Sequence, residues 1–461
     1  MSDKQSRKTF RLRLDRMIRK LREEILSGDY AAGDYLPSEL DLSSRFQISN
    51  NSVRKGLDVL VDEGLIEKIP RVGNRVKAPE QEAHTIIRLG CHQRLNDQTE
   101  LTYLLSEFHR KYPHIRVQTV QIPKNSNYEY IREQLDNGMI DVFTVNHFLY
   151  EEFVEKEGLD ALEAQEANPE LYPFLSDSYR HGDSLYAQPF TYSPVILCYN
   201  REHFSELNIP EPDSSWSWDD LLAQAARLSV KNERFGLYFH LTNPNRWFIF
   251  LIQSGAKFLP QEEGQYHFID SGMLDGIEKV WDMIYTPQLY PIMLSASNAD
   301  AERLFRDGQV SVIMTSYFAM NELKDISFEF DVAPLPHLRD FNQTMLVTVG
   351  LSMNSKSKVK AAAKQLIDFL ISFDVQKVIA QRTFTLPAHK HAAQIAGTSE
   401  LKRPSRFQMH KEIIPSFSSF KETHLKLSQH DDVLRELKLY WSGLKSKERL
   451  ATSLEALLDK R

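Results

Sequence analysis

Asn50, Asn51, Arg54 and Lys55 fall on one side of the short stretch "SNNSVRKGLDVLVDEG", whose other side is Val53, Leu57, Leu60 and Val61. Amides and a guanidinium on an exposed helix face can make paired hydrogen bonds to base edges in duplex DNA. Arginine fits guanine, and asparagine fits adenine. The other reactive side chains offer less. Cys91 and Cys198 are too few for a disulfide framework and sit in apolar, strand-like contexts, so they read as buried free thiols. His389 and His391 in "HKHAA" have no third or fourth ligand at sensible spacing and read as a solvated helix start. "SGAK", Ser254 to Lys257, has the Ser-x-x-Lys spacing of acyl enzymes without a partner motif. With no glycine-rich phosphate loop, zinc-type cysteine pair or Gly-x-Ser-x-Gly elbow, the chain reads as a non-enzyme with neither cofactor nor metal.

Local signals define the elements that hold the Arg54 face. Ser49 can cap the helix, and Ile48 can pack on Val53 as a hydrophobic staple. Upstream, Ser38 followed by Asp41 opens a helix carrying Leu42 and Phe46, joined to the next by a tight Gln47-Ile48 turn. Leu14, Ile18, Leu21 and Ile25 make the apolar stripe of a first helix that stops at Gly28. Downstream, Gly64 ends the Arg54 helix, and "LIEKI", "PRVGN" and "RVKA" read as strand, turn and strand. The order is a helix-turn-helix with a β-hairpin wing.

The run "LPSELDLSSRFQISNNSVRKGLDVLVDEGLIEKIPRVGNRV" resembles the winged helix-turn-helix of GntR-family transcription regulators across the whole domain. The resemblance implies binding of double-stranded operator DNA through Ser38, Arg45, Ser49, Asn50, Asn51, Ser52, Arg54 and Lys55, with Arg71, Gly73 and Arg75 from the wing. Family members commonly have arginine where this chain has Leu40 and Asn50, so its operator is expected to differ from the usual one. Winged helices of this kind read pseudo-palindromic sites as dimers, which implies a homodimer.

Residues 1–78 carry 16 Lys and Arg against 12 Asp and Glu, a net +4, which leaves −11 of the total −7 for the rest of the 461 residues. DNA affinity therefore has to reside in the N-terminal unit. The basic start "KQSRKTFRLRLDR" lacks the apolar run of a secretory signal, and no apolar stretch is long enough to span a bilayer, so a cytoplasmic protein without membrane contact is expected. Residues 79–84, within the polar "KAPEQEAHT", read as a linker.

Beyond the linker, "TIIRLGC", "IRVQTVQI" and "IDVFTVN" read as strands, and Leu101, Leu104, Leu105 and Phe108 mark an amphipathic helix. The alternation predicts a largely parallel sheet with sites at the carboxyl ends of strands, and the length of 85–461 favours two lobes. "LLSEFHRKYPHIRVQTVQIP", "LDNGMIDVFTV", "LFRDGQVSVIMTSYFAM" and "FDVAPLP" follow in the order of the extracellular solute-binding proteins that include maltose-binding protein, and this remainder resembles them over nearly its whole length. The fold implied is multidomain: an α+β winged helix-turn-helix (1–78), then a two-lobed α/β domain of periplasmic-binding-protein type. Lobe 1 would span about 85–194 and 349–385, and lobe 2 about 198–345 and 386–461, joined by crossover strands around a ligand cleft.

That resemblance implies a sensor for a small-molecule effector, a sugar or oligosaccharide. By family position, His92, Gln93, Arg94, Asn146 and His147 would supply polar contacts from one lobe, and Asn245 and Trp247 from the other. Tyr317 would be a stacking platform, with Tyr192 and Gly350 at the two crossovers. Trp247 reads equally as core or cleft, Trp218 and Trp281 as core, and Asp141 as a structural carboxylate at a strand end. Two alternatives accompany this reading. Some GntR-type regulators carry an aminotransferase-like domain that holds pyridoxal phosphate, for which "MNSKSKVK" offers the nearest lysine without the expected aspartate-tyrosine motif. The other is a cleft that no longer binds ligand.

Overall fold

The computed structural model describes residues 13, 14, 16–25, 29–70, 72–77, 84–123, 126–255, 257, 258, 266, 268, 269, 272–287, 289–291, 297–395 and 401–459. Gly28, Arg71 and all of the expected linker except His84 lie outside these residues. The chain separates into two compact units, Met1–His84 and Thr85–Arg461.

The first unit has a helix α1 (16–25), α2 (Glu39–Phe46), α3 (Asn50–Asp62) and a hairpin of β1 (Ile66–Ile69) and β2 (Gly73–Val76), with Ile66 opposite Val76 and Ile69 opposite Gly73. The starts of α2 and α3 use hydroxyl caps: Ser38 Oγ accepts from Asp41 N, and Ser49 Oγ from Ser52 N. Such caps satisfy backbone donors that the first turn leaves without partners. Leu21, Leu42, Val53, Leu57, Leu60 and Ile66 are all fully buried in one core, with Ile48 beside them. That core fixes α3 by its apolar side and leaves the other side open.

The second unit is built on a mixed sheet. Its strands are β3 (Thr85–His92), β4 (Ile115–Ile122), β5 (Val142–Asn146), β6 (Gln188–Asn200), β7 (Phe235–Tyr238), β8 (Val310–Ser316), β9 (Phe330–Ala333) and β10 (Thr344–Met353), in the order β4-β3-β5-β10-β6-β8-β7, with β9 also on β6. Pairing is parallel within each end, β3 with β4 and β5, and β8 with β7. Among these strands it is antiparallel wherever β6 or β10 takes part, and the short strand Phe417–Ser418 adds to the start of β10 in parallel. The sheet is therefore not largely parallel as the alternation predicts. A strand that leaves one lobe for the other is answered by one running back, and that pair is antiparallel. β10 pairs with β5 through Val349–Met353, while β6 pairs with β10 through its first half and with β8 through Val195–Tyr199. All thirteen residues of β6 are buried, as a strand covered on both faces must be.

Helices α4 (Leu101–Lys111), α5 (Tyr128–Asp136) and α6 (His147–Glu155) belong to the β3–β5 lobe. Helices α7 (Trp218–Leu228), α8 (Pro244–Gln253) and α9 (Asp275–Tyr285) belong to the β7–β8 lobe. α10 (Lys360–Leu370) returns to the first lobe, where Phe369 meets Phe108 edge-on at 5.3 Å. At the C-terminal end, α11 (His430–Trp441) and α12 (Lys447–Leu458) join the second lobe, with Trp441 Nε1 donating to Ile277 O at 3.1 Å. No helix of the described residues is long and apolar enough to cross a membrane.

α7 lies so close to β7 that a Cβ at Gly236 would stand 1.8 Å from the Ala225 carbonyl oxygen. The obstacle is backbone, which cannot swing aside. Gly236→Ala is therefore expected to destabilise the second unit by about 3 kcal/mol, read as a lower urea midpoint.

Candidate functional site

Asn50, Asn51, Arg54 and Lys55 are exposed along α3, as the helical spacing requires. Arg54 Nε donates to Glu39 Oε2 at 2.6 Å, and its side chain remains 63% exposed. Ser38 and Ser49 act as the caps of α2 and α3, and Ser49 Oγ also lies 2.7 Å from Ser52 Oγ. Ser52 departs from the expected contact set. It is 4% exposed, because its position turns it toward the cap and core. Arg45 is bound at Nη1 and Nη2 by the Glu24 carboxylate and lies over the Phe46 ring. Arg75 is held by Glu67 across the hairpin, and Gly73 opens β2 at φ +148°. Arg71 lies outside the described residues.

In the second unit, the starts of three helices meet. Asn146 caps α6 by accepting from Leu149 N at 2.9 Å, which sets His147 at the helix start. Asn243 caps α8 by accepting from Asn245 N at 2.9 Å, which places Asn245 and Trp247 in its first turns. His430 opens α11. The rings form one cluster: Trp247 with His430 at 4.9 Å, Phe148 with His430 at 6.3 Å, His147 with Phe148 at 4.3 Å, and Phe248 with Phe420 at 4.8 Å. α6 comes from one lobe and α8 from the other, and α8 is tied to β8 by Arg246 Nε donating to Met314 O at 3.2 Å.

His430 Nδ1 lies 3.3 Å from Asp431 Oδ1, but most other side-chain polar atoms of this cluster make no closed hydrogen bond. His147 Nδ1 and Nε2, Asn245 Oδ1, Trp247 Nε1, Thr348 Oγ1 and His430 Nε2 are all buried without a closed hydrogen bond. Burial holds His147 neutral, its pKa pulled down to about 4, with Asn245 and the Thr348 backbone beside it. Burial also lowers that of His430. A neutral imidazole pair, an indole N–H and an amide oxygen, set against aromatic faces, can bind hydroxyl groups on an apolar ring framework.

Residues 420–430 clasp both lobes around this cluster. Lys421 Nζ lies 2.6 Å from Glu151 Oε1, Ser428 N donates to Glu155 Oε2 at 3.0 Å, and Leu427 N donates to the same carboxylate. His430, Phe420, Phe148 and Phe248 escape a reading of the sequence. Three of them are ordinary core-type phenylalanines, and His430 lies far along the chain with no motif around it.

The other expected contacts are placed differently. His92 Nε2 lies 3.2 Å from Gln98 Oε1, Gln93 is exposed, and Arg94 Nη1 lies 4.0 Å from Glu322 of the other lobe. Tyr317 is fully buried, with its hydroxyl donating to Phe407 O at 3.0 Å and Phe407 and His410 against its ring. The stretch around residue 407 covers the ring expected to be a stacking platform. Tyr192 is fully buried in β6, with Phe174 and Phe417 edge-on to its ring. At Gly350 a Cβ would meet the Tyr179 ring at 2.9 Å, so the missing side chain makes room for protein packing rather than for ligand.

Trp218 is core, its Nε1 donating to Gln253 Oε1 at 2.7 Å, and Trp281 stacks on Tyr285 at 4.2 Å. Trp247, which reads equally as core or cleft, is 1% exposed inside the ring cluster. Asp141 accepts from Arg88 N at 2.9 Å and Ser357 Oγ at 2.7 Å at the edge of β5. Cys91 and Cys198 are buried free thiols. Ser254 Oγ donates to Leu251 O at the end of α8, and Lys356 and Lys360 pair with Asp136 and Glu163.

The family model of the bacterial extracellular solute-binding proteins matches residues 94–377, well over half of the chain. The chain belongs to that family. This solute-binding protein also matches the gntR family of bacterial regulatory proteins over residues 14–76, the first unit described above. A Brucella abortus (strain 2308) protein named as a binding protein is 26% identical over 228 residues, 48% of this chain and 55% of its own length. The chain thus spans about half the length of that relative. The HTH-type transcriptional regulator YieP of Escherichia coli (strain K12) is 30% identical over 106 residues, 23% of this chain and 41% of that one. The ABC substrate-binding protein of Listeria monocytogenes, solved in complex with cycloalternan, shares the fold with a TM-score of 0.68 at 19% identity, over 82% of this chain and 98% of that one.

Three histidines of the solute-binding unit, His147, His203 and His410, have pKa values pulled down to about 4, by burial first in each case. The unfolded chain, with ordinary values near 6.5, takes up protons first on acidification. Stability is then complete above pH 6.5 and falls as pH drops from 6.5 to 4. The buried Glu302 carboxyl, raised by desolvation, acts in the opposite sense. His410→Phe keeps a buried ring without the titration, and its melting temperature should fall less than that of the wild type between pH 6.5 and 4.5.

Proposed function

We propose that this protein is a bacterial transcription regulator whose affinity for operator DNA is set by a small solute, a sugar or oligosaccharide, held between the lobes of its second unit. The observation that carries the reading is the group of buried, unpartnered polar atoms of His147, Asn245, Trp247, Thr348 and His430 among aromatic rings from both lobes. A buried polar atom without a partner costs about 1–3 kcal/mol. Several of them together are what a ligand rich in hydroxyls would satisfy. The Listeria relative's complex with cycloalternan supports a carbohydrate as the class of ligand.

In this reading α3 enters a major groove, protomers pair on a two-fold site, and the protein acts in the cytoplasm, where its DNA is. A ligand changes DNA affinity only if it binds one lobe arrangement better than another. A coupling of about 1–3 kcal/mol is enough for regulation. The test is a thermal-shift screen of the full chain against mono- and oligosaccharides, followed by DNA binding with and without the hit. A ligand at 100 times its Kd should add about 2.7 kcal/mol of stability. No shift with any sugar would reject the carbohydrate, and a shift without change in DNA affinity would reject the coupling.

A further inference from the structure

We infer that Glu39 positions Arg54 for reading a base, by holding its Nε and so presenting the outer pair of guanidinium nitrogens to the DNA. The inference rests on the reading of α3 as the DNA-contacting helix. Arg54 differs from the other arginines of the first unit that pair with a carboxylate. Arg22 is held through Nε and Nη2, Arg45 through Nη1 and Nη2, and Arg75 through Nε and Nη2. Among the described residues Arg54 is held through Nε alone, at 2.6 Å, and it is the most exposed of the four, at 63%.

That grip leaves both terminal nitrogens free and in one plane, which is the fork that matches guanine O6 and N7. An arginine side chain loses much rotamer freedom when it is fixed on a base. Fixing it beforehand in the free protein moves that loss out of the binding step.

The carboxylate itself comes from the first residue of α2, directly after the Ser38 cap. A negative charge beside a DNA-contacting face repels phosphate and weakens binding to any sequence. A carboxylate that only repels, or that only favours the α2 N-terminus, therefore predicts the opposite result from one that orients a base-reading arginine. Removing the first kind strengthens binding to all duplexes alike. Removing the second kind loosens the preference at one base position.

The experiment is selection of duplexes from a random-sequence pool by the full-length wild type, Glu39→Gln and Arg54→Ala. The position whose guanine preference disappears in Arg54→Ala is the one Arg54 reads. In Glu39→Gln the same position should lose preference by about tenfold, with the rest of the selected motif kept and binding to a random duplex equal or tighter. Retained binding to the random duplex shows that the variant is folded, and Glu39→Asp should restore part of the preference. An unchanged preference at that position overturns the inference, as does an equal loss at every position. If the wild type recovers no common sequence, the assignment of α3 as a base-reading helix falls, and the inference falls with it.

Discussion

Gln253→Ala should lower the unfolding free energy of the solute-binding unit by about 3–5 kcal/mol, a large share of what holds an ordinary domain together. Gln253 is fully buried at the end of α8. Its Oε1 accepts from Trp218 Nε1 at 2.7 Å, and its Nε2 donates to Pro336 O at 3.0 Å and Gln343 O at 2.8 Å. One amide thus joins α7, α8 and the segment leading into β10. Alanine leaves an indole N–H and two carbonyls without partners and opens a void beside Trp218. The orphaned groups alone cost about 1–3 kcal/mol each, and the void adds to that. Urea denaturation followed by tryptophan fluorescence measures the loss. A change below about 1 kcal/mol would mean that water or a neighbouring side chain takes over the three bonds.

The second large effect is functional and has two halves. Arg54→Ala should lower affinity for the selected operator by roughly 10- to 100-fold, from the loss of about 1–3 kcal/mol of paired contact to a base, while the sugar-induced thermal shift persists. Trp247→Ala should do the reverse. The indole lies between Phe248 at 4.0 Å and His430 at 4.9 Å, with its N–H unpartnered, so its removal takes away both a ring face and a donor. The thermal shift should vanish while operator affinity without sugar stays within about twofold of the wild type, because the altered residue belongs to the other compact unit. Gel-shift titration and calorimetric melting read the two halves. Equal loss of both activities in either variant would mean misfolding and would argue against separate input and output units.

How far the sequence reaches depends on how local the cause is. The caps at Ser38 and Ser49, the burial of Ile48 and Val53 in one core, and the exposed Asn50, Asn51, Arg54 and Lys55 depend on neighbours a few residues apart, and each is legible from spacing. Ser52 and Arg45 are not, since one turns into the cap and the other is taken by Glu24 of α1. The same holds for the Glu39 grip on Arg54, which exists only because α2 and α3 pack together.

In the larger unit, the strands Thr85–His92, Ile115–Ile122 and Val142–Asn146 follow from alternation and apolar runs. Their parallel pairing follows from the intervening helices, and the two-lobed fold from family resemblance. The antiparallel pairing of β6 and β10 depends on two strands that meet from distant parts of the chain. By itself, then, the sequence determined the two units, the face of α3 and most of the strands, because caps, periodicity and charge act over a few residues. Only the tertiary structure decided that His147, Asn245 and Trp247 stand with His430 and Phe420, and that Tyr317 is sealed beneath Phe407. Those neighbours come from elements far apart in the chain, and packing rather than local propensity brings them together.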